Sequence, residues 1–102
     1  MLPKPNRFSF KKKVPRKIIQ TPYMTIRYEG INGELKGAVV ISKKASKKAT
    51  DRNRMKRILS EQLGQHKSLP YSIVLFVKKE AFLSEEEIVK STLGEMLNSL
   101  VQ

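Results

Sequence analysis

The sequence contains no cysteine. That excludes a disulfide scaffold, a cysteine-ligated zinc finger and a cysteine nucleophile. Such a chain suits the reducing cytoplasm, which is the compartment expected. There is one histidine, His66, in a stretch with Gly64 and Ser68. A lone imidazole has no partner at metal-ligand spacing, so it reads as a solvated loop residue and no metal site is expected. No apolar run approaches the ~20 residues of a membrane span. Met1–Pro5 lacks the apolar stretch of a secretory signal. No two carboxylates stand at a spacing that suits acid–base work, and no triad can be assembled around a Ser or Thr. Glu85–Glu87 fits a helix start better than a metal cluster. No catalytic residue, small-molecule cofactor or membrane partner is expected of the polypeptide.

Acids are also scarce, and that scarcity is informative. Nine Asp and Glu face 21 Lys and Arg, a net charge of +12 on 102 residues. The length allows a single domain, read as a basic, proline-containing segment over 1–22 and an α/β core over 23–102. Hydrophobic residues make up 39% of the chain, enough for a globular core. A charge surplus this large calls for an anionic partner, nucleic acid first. The surplus is uneven: residues 1–28 balance at +8, residues 29–60 at +6 and residues 61–102 at −2. Anion binding belongs to the stretch from Met1 to Ser60, and the stretch from Glu61 to Gln102 reads as scaffold.

Tyr23–Tyr28 is rich in β-branched and aromatic residues and predicts a strand. Asn32-Gly33 is a tight-turn pair, and Lys36–Ser42 then predicts a second strand, antiparallel to the first in a hairpin. Lys43–Thr50 reads as a basic loop. Thr50 or Asp51 caps a helix over Arg52–Gly64, with Met55, Ile58, Leu59, Gln62 and Leu63 facing inward and Gly64 as its stop. Tyr71–Val77 is almost wholly apolar and predicts a central strand. Ser84-Glu85-Glu86-Glu87 fits a capping box for a helix whose inner face carries Ile88, Val89, Thr92, Leu93, Met96, Leu97 and Leu100. Between Phe8 and Val14 the prolines leave room for a short helix only. The class is α/β (α+β): a two-layer sandwich, a small sheet with helices on one face.

The stretch that carries function runs from Ser42 to Arg57. At about 100° per residue, Asn53, Arg54, Lys56 and Arg57 spread over the arc turned away from Met55, and Arg52 borders the inner stripe. An ordinary solvated helix face mixes signs. Here Arg52, Arg54, Lys56 and Arg57 meet no acid before Glu61. Guanidinium forks suit phosphate oxygens, and an amide adds a directional hydrogen bond. Lys43, Lys44, Lys47 and Lys48 add diffuse attraction to phosphates. Tyr23 or Tyr28, on opposite faces of one strand, could stack on an unpaired base, as could Phe8 and Phe10. Each could equally pack on the core.

Ser42-Lys43-Lys44 followed by Arg52-Asn53-Arg54-Met55-Lys56-Arg57 resembles the signature of the bacterial ribonuclease P protein subunit. Met1-Leu2-Pro3-Lys4 with Asn6-Arg7, Val39–Ser42, Tyr71–Leu75 and Leu83–Glu86 are similar to other parts of that family. The resemblance implies a ribosomal-protein-S5-domain-2-like fold with a left-handed β-α-β crossover. It implies two partners, ribonuclease P RNA and the 5′ leader of precursor tRNA, with Mg²⁺ serving the RNA subunit that cuts the phosphodiester bond. The polypeptide would then be a non-catalytic subunit of an endoribonuclease. Its RNA-subunit contacts would be Lys43, Lys44, Lys47, Lys48, Arg52, Asn53, Arg54, Lys56 and Arg57. Its leader contacts would be Phe8, Phe10, Tyr23, Tyr28 and Lys56. The family's first helix is shortened here and holds Pro15, and Ser46 stands where the family carries Gly. A small basic ribosomal protein, or another binder of structural RNA, is the alternative that composition permits. A DNA-binding regulator fits less well, since a hairpin and a loop, not a helix, precede the basic helix.

Overall fold

The computed structural model describes residues 7–8 and 15–101. Four strands form one sheet in the order β1-β2-β4-β3: β1 is Lys17–Gln20, β2 Met24–Gly30, β3 Lys36–Val40 and β4 Tyr71–Val77. Helix α1, Ala49–Gly64, connects β3 to its parallel neighbour β4, and helix α2, Glu86–Val101, closes the chain. Both helices cover the same sheet face. Met24, Ile26, Ile73 and Leu75 of that face share one buried cluster with Met55, Leu59 and Leu63 of α1 and Val89, Leu93 and Leu97 of α2. Each fully buried side chain of this size contributes roughly 1.5–3 kcal/mol.

The expected hairpin between β2 and β3 does not form. The two strands run in opposite directions, but β4 lies between them, antiparallel to β2 and parallel to β3. The cause lies in β4 itself. Its apolar run needs cover on both faces and partners on both edges, which only a central place supplies. Ile73, Val74 and Leu75 are fully buried there. The turn pair is still used, since Gly33 takes φ +105, a conformation that favours glycine. It serves a connection that passes the start of β4: Ile31 N–H donates to Pro70 O at 2.9 Å and Leu35 N–H to Lys67 O at 3.0 Å. Buried Leu35 anchors that connection in the core.

Strand β1 extends the sheet into the segment read as a basic arm. It pairs antiparallel with β2, Ile19 opposite Ile26. Thr21 makes the turn: its Oγ1 donates to Met24 O at 2.8 Å and accepts from Met24 N–H at 3.0 Å. The strand is a short edge between Pro15 and Pro22 and carries little pattern, with Ile18 exposed. The short helix expected over Phe8–Val14 falls almost wholly outside the described residues.

The helix ends also differ from expectation. Helix α1 starts at Ala49 with Lys48 as its extended N-cap and no side-chain cap bond, so Thr50 and Asp51 lie inside the first turn. Gly64 is the last helical residue, but Gln65 follows with φ −71, so the stop uses no left-handed glycine. Helix α2 starts at Glu86, later than a Ser84 cap implies, and the Glu85 carbonyl accepts from Ile88 and Val89 N–H. Ile88 is exposed. It lies about 100° from Val89 and so off the buried stripe.

The two helices meet at Gln62 and Gly94. Gln62 Nε2 donates to Lys90 O at 2.8 Å, and its buried Oε1 has no partner among the described residues. A Cβ on Gly94 would lie 2.9 Å from Gln62 Nε2. Gly94→Ala alone is expected to cost about 1 kcal/mol, because displacing the amide outweighs the gain in helix propensity. In a Gln62→Ala background the same change is expected to stabilise by about that amount. Urea unfolding of the four proteins checks the reversal of sign.

Candidate nucleic-acid interface

Helix α1 divides its surface three ways. Met55, Leu59 and Leu63 face the sheet. Asn53, Lys56, Arg57 and Ser60, at i, i+3, i+4 and i+7, share a second flank. That flank faces the outer edge of β3, where residues 7–8 run alongside. Arg7 bridges Gly37 in parallel register, and Phe8 N–H donates to Gly37 O at 2.9 Å. A cleft of about 520 Å³ lies between the edge and the helix. Phe8, Gly37, Ala38 and Val39 give it an apolar side. Arg7, Asn53, Lys56, Arg57 and Ser60 give it a polar and cationic one, and among the described residues no acid lines it.

The third flank turns to α2. Arg54 Nε lies 2.6 Å from Glu86 Oε1, with both side chains well exposed. Such a surface pair contributes about 0–1 kcal/mol. Glu86→Gln is accordingly expected to lower the thermal midpoint by only a few degrees, and calorimetry checks it.

Arg52 has another partner. Its Nη1 donates to Ser46 O at 2.7 Å and to Lys47 O at 3.0 Å. It therefore ties down the loop that bears the exposed Lys43, Lys44, Lys47 and Lys48. Arg52→Lys keeps the charge and loses the double hold. Amide exchange over Lys47–Ala49 is expected to quicken about tenfold, a loss of about 1.4 kcal/mol in local opening free energy. Exchange in β4 is expected to stay unchanged.

The basic helix thus brings together Asn53, Lys56 and Arg57, with Arg52 and Arg54 turned to partners within the chain. Phe8 joins the cleft. Phe10 lies outside the described residues. Tyr28, on β2, and Tyr23, immediately before it, are separated from the cleft by β4 and β3 and pack against the core. Tyr28 lies against Tyr71, ring centroids 6.1 Å apart, with Lys17 Nζ 5.8 Å from the Tyr28 ring. His66 Nδ1 lies 3.2 Å from Gln62 O. Among the described residues no group of three or more His, Cys, Asp or Glu could hold a metal ion, and no helix is long and apolar enough to cross a membrane.

The family model for ribonuclease P matches residues 2–101. The chain belongs to the ribonuclease P protein family. It is a protein subunit of ribonuclease P, the RNA-binding ribonucleoprotein endoribonuclease of tRNA processing. Two solved structures of the ribonuclease P protein from Thermotoga maritima share its fold. One, in complex with 1-(4-fluorophenyl)-2-thiourea, has a TM-score of 0.69 at 22% identity, over 79% of this chain and 82% of that one. The other has a TM-score of 0.67 at 24% identity, over 79% and 80%. No curated protein matches the sequence.

Sequence reasoning missed three parts of this ribonuclease P protein's cleft: Arg7, Ser60 and the β3 edge. Ser60 was accessible through helical spacing, one turn beyond Lys56 and Arg57. Arg7 and the edge were not, because no local pattern reports which strand lies at the edge of the sheet.

Proposed function

We propose that this subunit binds the catalytic RNA of ribonuclease P through the α1 flank of Asn53, Lys56 and Arg57 and through the Lys43–Lys48 loop, and holds the 5′ leader of precursor tRNA beside it. The observation that carries the reading is the cleft: three cations, an amide and a hydroxyl line it, with no carboxylate among them. An Arg fork or an ammonium there neutralises phosphate oxygens, and Asn53 supplies both a donor and an acceptor. The tied lysine loop extends the positive surface past the start of α1 and draws in RNA over longer range.

The polypeptide's part is electrostatic and positional. In this reading the chain adds substrate and RNA affinity while the RNA subunit, with Mg²⁺, performs the cleavage; the described lining of the cleft, cations with an amide and a hydroxyl, suits binding. Neutralising closely spaced phosphates lowers the Mg²⁺ that the folded RNA needs. The leader contacts divide in space: Phe8 and Lys56 lie at the cleft, whereas Tyr23 and Tyr28 lie across the sheet. A cytoplasmic setting follows from the precursor tRNA substrate.

Filter binding to a bacterial ribonuclease P RNA over a range of salt tests this. Affinity is expected to fall linearly on log–log axes, by about 0.7–0.9 log units per log salt for each phosphate neutralised. A flat salt dependence, or equal affinity for ribosomal RNA of the same length, would contradict it.

A further inference from the structure

We infer that Arg52 is a positioning residue for RNA binding: it holds the connection from Ser42 to Lys48 in one shape, which presets Lys43, Lys44, Lys47 and Lys48 for phosphates, while its own guanidinium serves the chain and not the RNA. The inference rests on the RNA-binding reading above and adds how the lysine loop and the first cation of the basic block divide the work. Of the four cations within Arg52–Arg57, one is withdrawn from solvent. Arg54, Lys56 and Arg57 are exposed, whereas Arg52 is half-buried. Its Nη1 donates to two successive carbonyls, Ser46 O at 2.7 Å and Lys47 O at 3.0 Å. That nitrogen carries two N–H donors, and both are engaged. The chain bends at Lys47, so the guanidinium closes a local turn of the backbone.

Little else holds that shape. Among the described contacts, Ala45 N–H donates to Ser42 O at 3.1 Å, which sets a turn with Lys43 and Lys44 at its corner, and Arg52 N–H donates to Lys48 O at 3.2 Å. All four lysines are exposed, and like charges crowded on one short loop favour its opening. The hold of Arg52 opposes that. A phosphate on Arg52 would compete with both carbonyls for the same guanidinium and release the bend. Lys56 and Arg57 offer exposed charge at no such cost. A loop already in its bound shape loses less freedom on binding, and that difference appears as affinity. Arg52 thus acts on RNA through the lysines it places.

The test is a double-mutant cycle on the full chain, read as affinity for a bacterial ribonuclease P RNA. One arm is Arg52→Gln. The other replaces Lys43, Lys44, Lys47 and Lys48 together by Gln. With the hold cut, a loop in its bound shape about a fifth of the time binds about fivefold more weakly, and that is the loss expected of Arg52→Gln. In the lysine-free background the same substitution is expected to cost less than about twofold, because nothing is left for Arg52 to place. The slope of log affinity against log salt is expected to hold in Arg52→Gln, since the lysines still reach their phosphates. A slope shallower by about 0.7–0.9 would mark a phosphate lost with Arg52 and overturn the inference. A fivefold cost that persists without the lysines overturns it too, and leaves RNA binding through the loop standing. Unchanged affinity on removing the lysines overturns the loop's place in the reading above and the inference with it. Circular dichroism verifies that each variant folds. Arg52→Lys gives an independent check that keeps the charge. It is expected to lose affinity in step with quickened amide exchange over Lys47–Ala49. Full affinity alongside quickened exchange would show that the charge alone matters, and would overturn the inference.

Discussion

Replacing Lys56 and Arg57 together by alanine is expected to weaken binding to ribonuclease P RNA about 100-fold. Each side chain stands on the cleft flank of α1, and no hydrogen bond or ion pair within the chain engages either charge among the described contacts. A charge-assisted hydrogen bond to phosphate contributes about 1.5–3 kcal/mol, and every ~1.4 kcal/mol is tenfold in affinity. The slope of log affinity against log salt should become shallower by about 1.5, two phosphates' worth. Lys67→Ala with Lys90→Ala removes the same charge from the scaffold part of the chain. It is expected to change affinity by less than about threefold, because charges without a direct phosphate contact act only through a screened field. Arg54→Ala should also have a smaller effect than Lys56→Ala, since Arg54 lies on the α2 flank with Glu86. Isothermal titration at several salt concentrations checks all three.

Leu59→Ala is expected to destabilise the fold by about 3 kcal/mol and to lower the thermal midpoint by roughly 10–25 °C. Leu59 is fully buried in the middle of α1, in one cluster with residues from the sheet and α2. Removing its branched end opens a cavity where three elements meet, and the side chains around it are held too tightly to close it. The interface residues are untouched. Well below the new midpoint RNA affinity should therefore stay within about threefold of wild type, and bound RNA should restore part of the lost stability by mass action. Differential scanning calorimetry with and without RNA measures both effects. A large loss of affinity in the folded variant would show that the cleft depends on α1's packing more closely than its rigid placement implies.

The helices and β4 were legible because their signals are local. Met55, Leu59 and Leu63 recur at helical spacing, and Tyr71–Val77 is apolar without alternation, the pattern of a strand covered on both faces. The order of the strands was not legible. Asn32-Gly33 signals a turn wherever it lies, and a turn between two strands is a hairpin only if no third strand takes the place between them. Strand β4 took it, through contacts far apart in sequence. Strand β1 escaped notice because a short edge strand buries little and needs little pattern.

The site was legible in part for the same reason. Composition and the run from Arg52 to Arg57 located the charged helix, and the family resemblance named its class. Neither revealed that the block divides, with Arg52 tying the lysine loop, Arg54 meeting Glu86, and Asn53, Lys56 and Arg57 turning to the cleft. That division follows from where β3 and α2 flank α1, which is tertiary information. Phe8 entered the site through one backbone hydrogen bond to Gly37, which no side-chain pattern announces.

The central claim is that the cleft flank of α1 makes this chain a working subunit of ribonuclease P. Its most direct test is 5′ cleavage of a precursor tRNA by a bacterial ribonuclease P RNA at low Mg²⁺, with the wild-type chain, with the Lys56→Ala/Arg57→Ala variant and with no protein. The wild type is expected to restore cleavage, the variant to fall at least about tenfold short at equal concentration, and a variant concentration about 100-fold higher to recover most of the difference. Cleavage by the variant equal to wild type at limiting protein would contradict the assignment of the cleft. No stimulation by a folded wild-type chain that binds the RNA would contradict the functional reading itself.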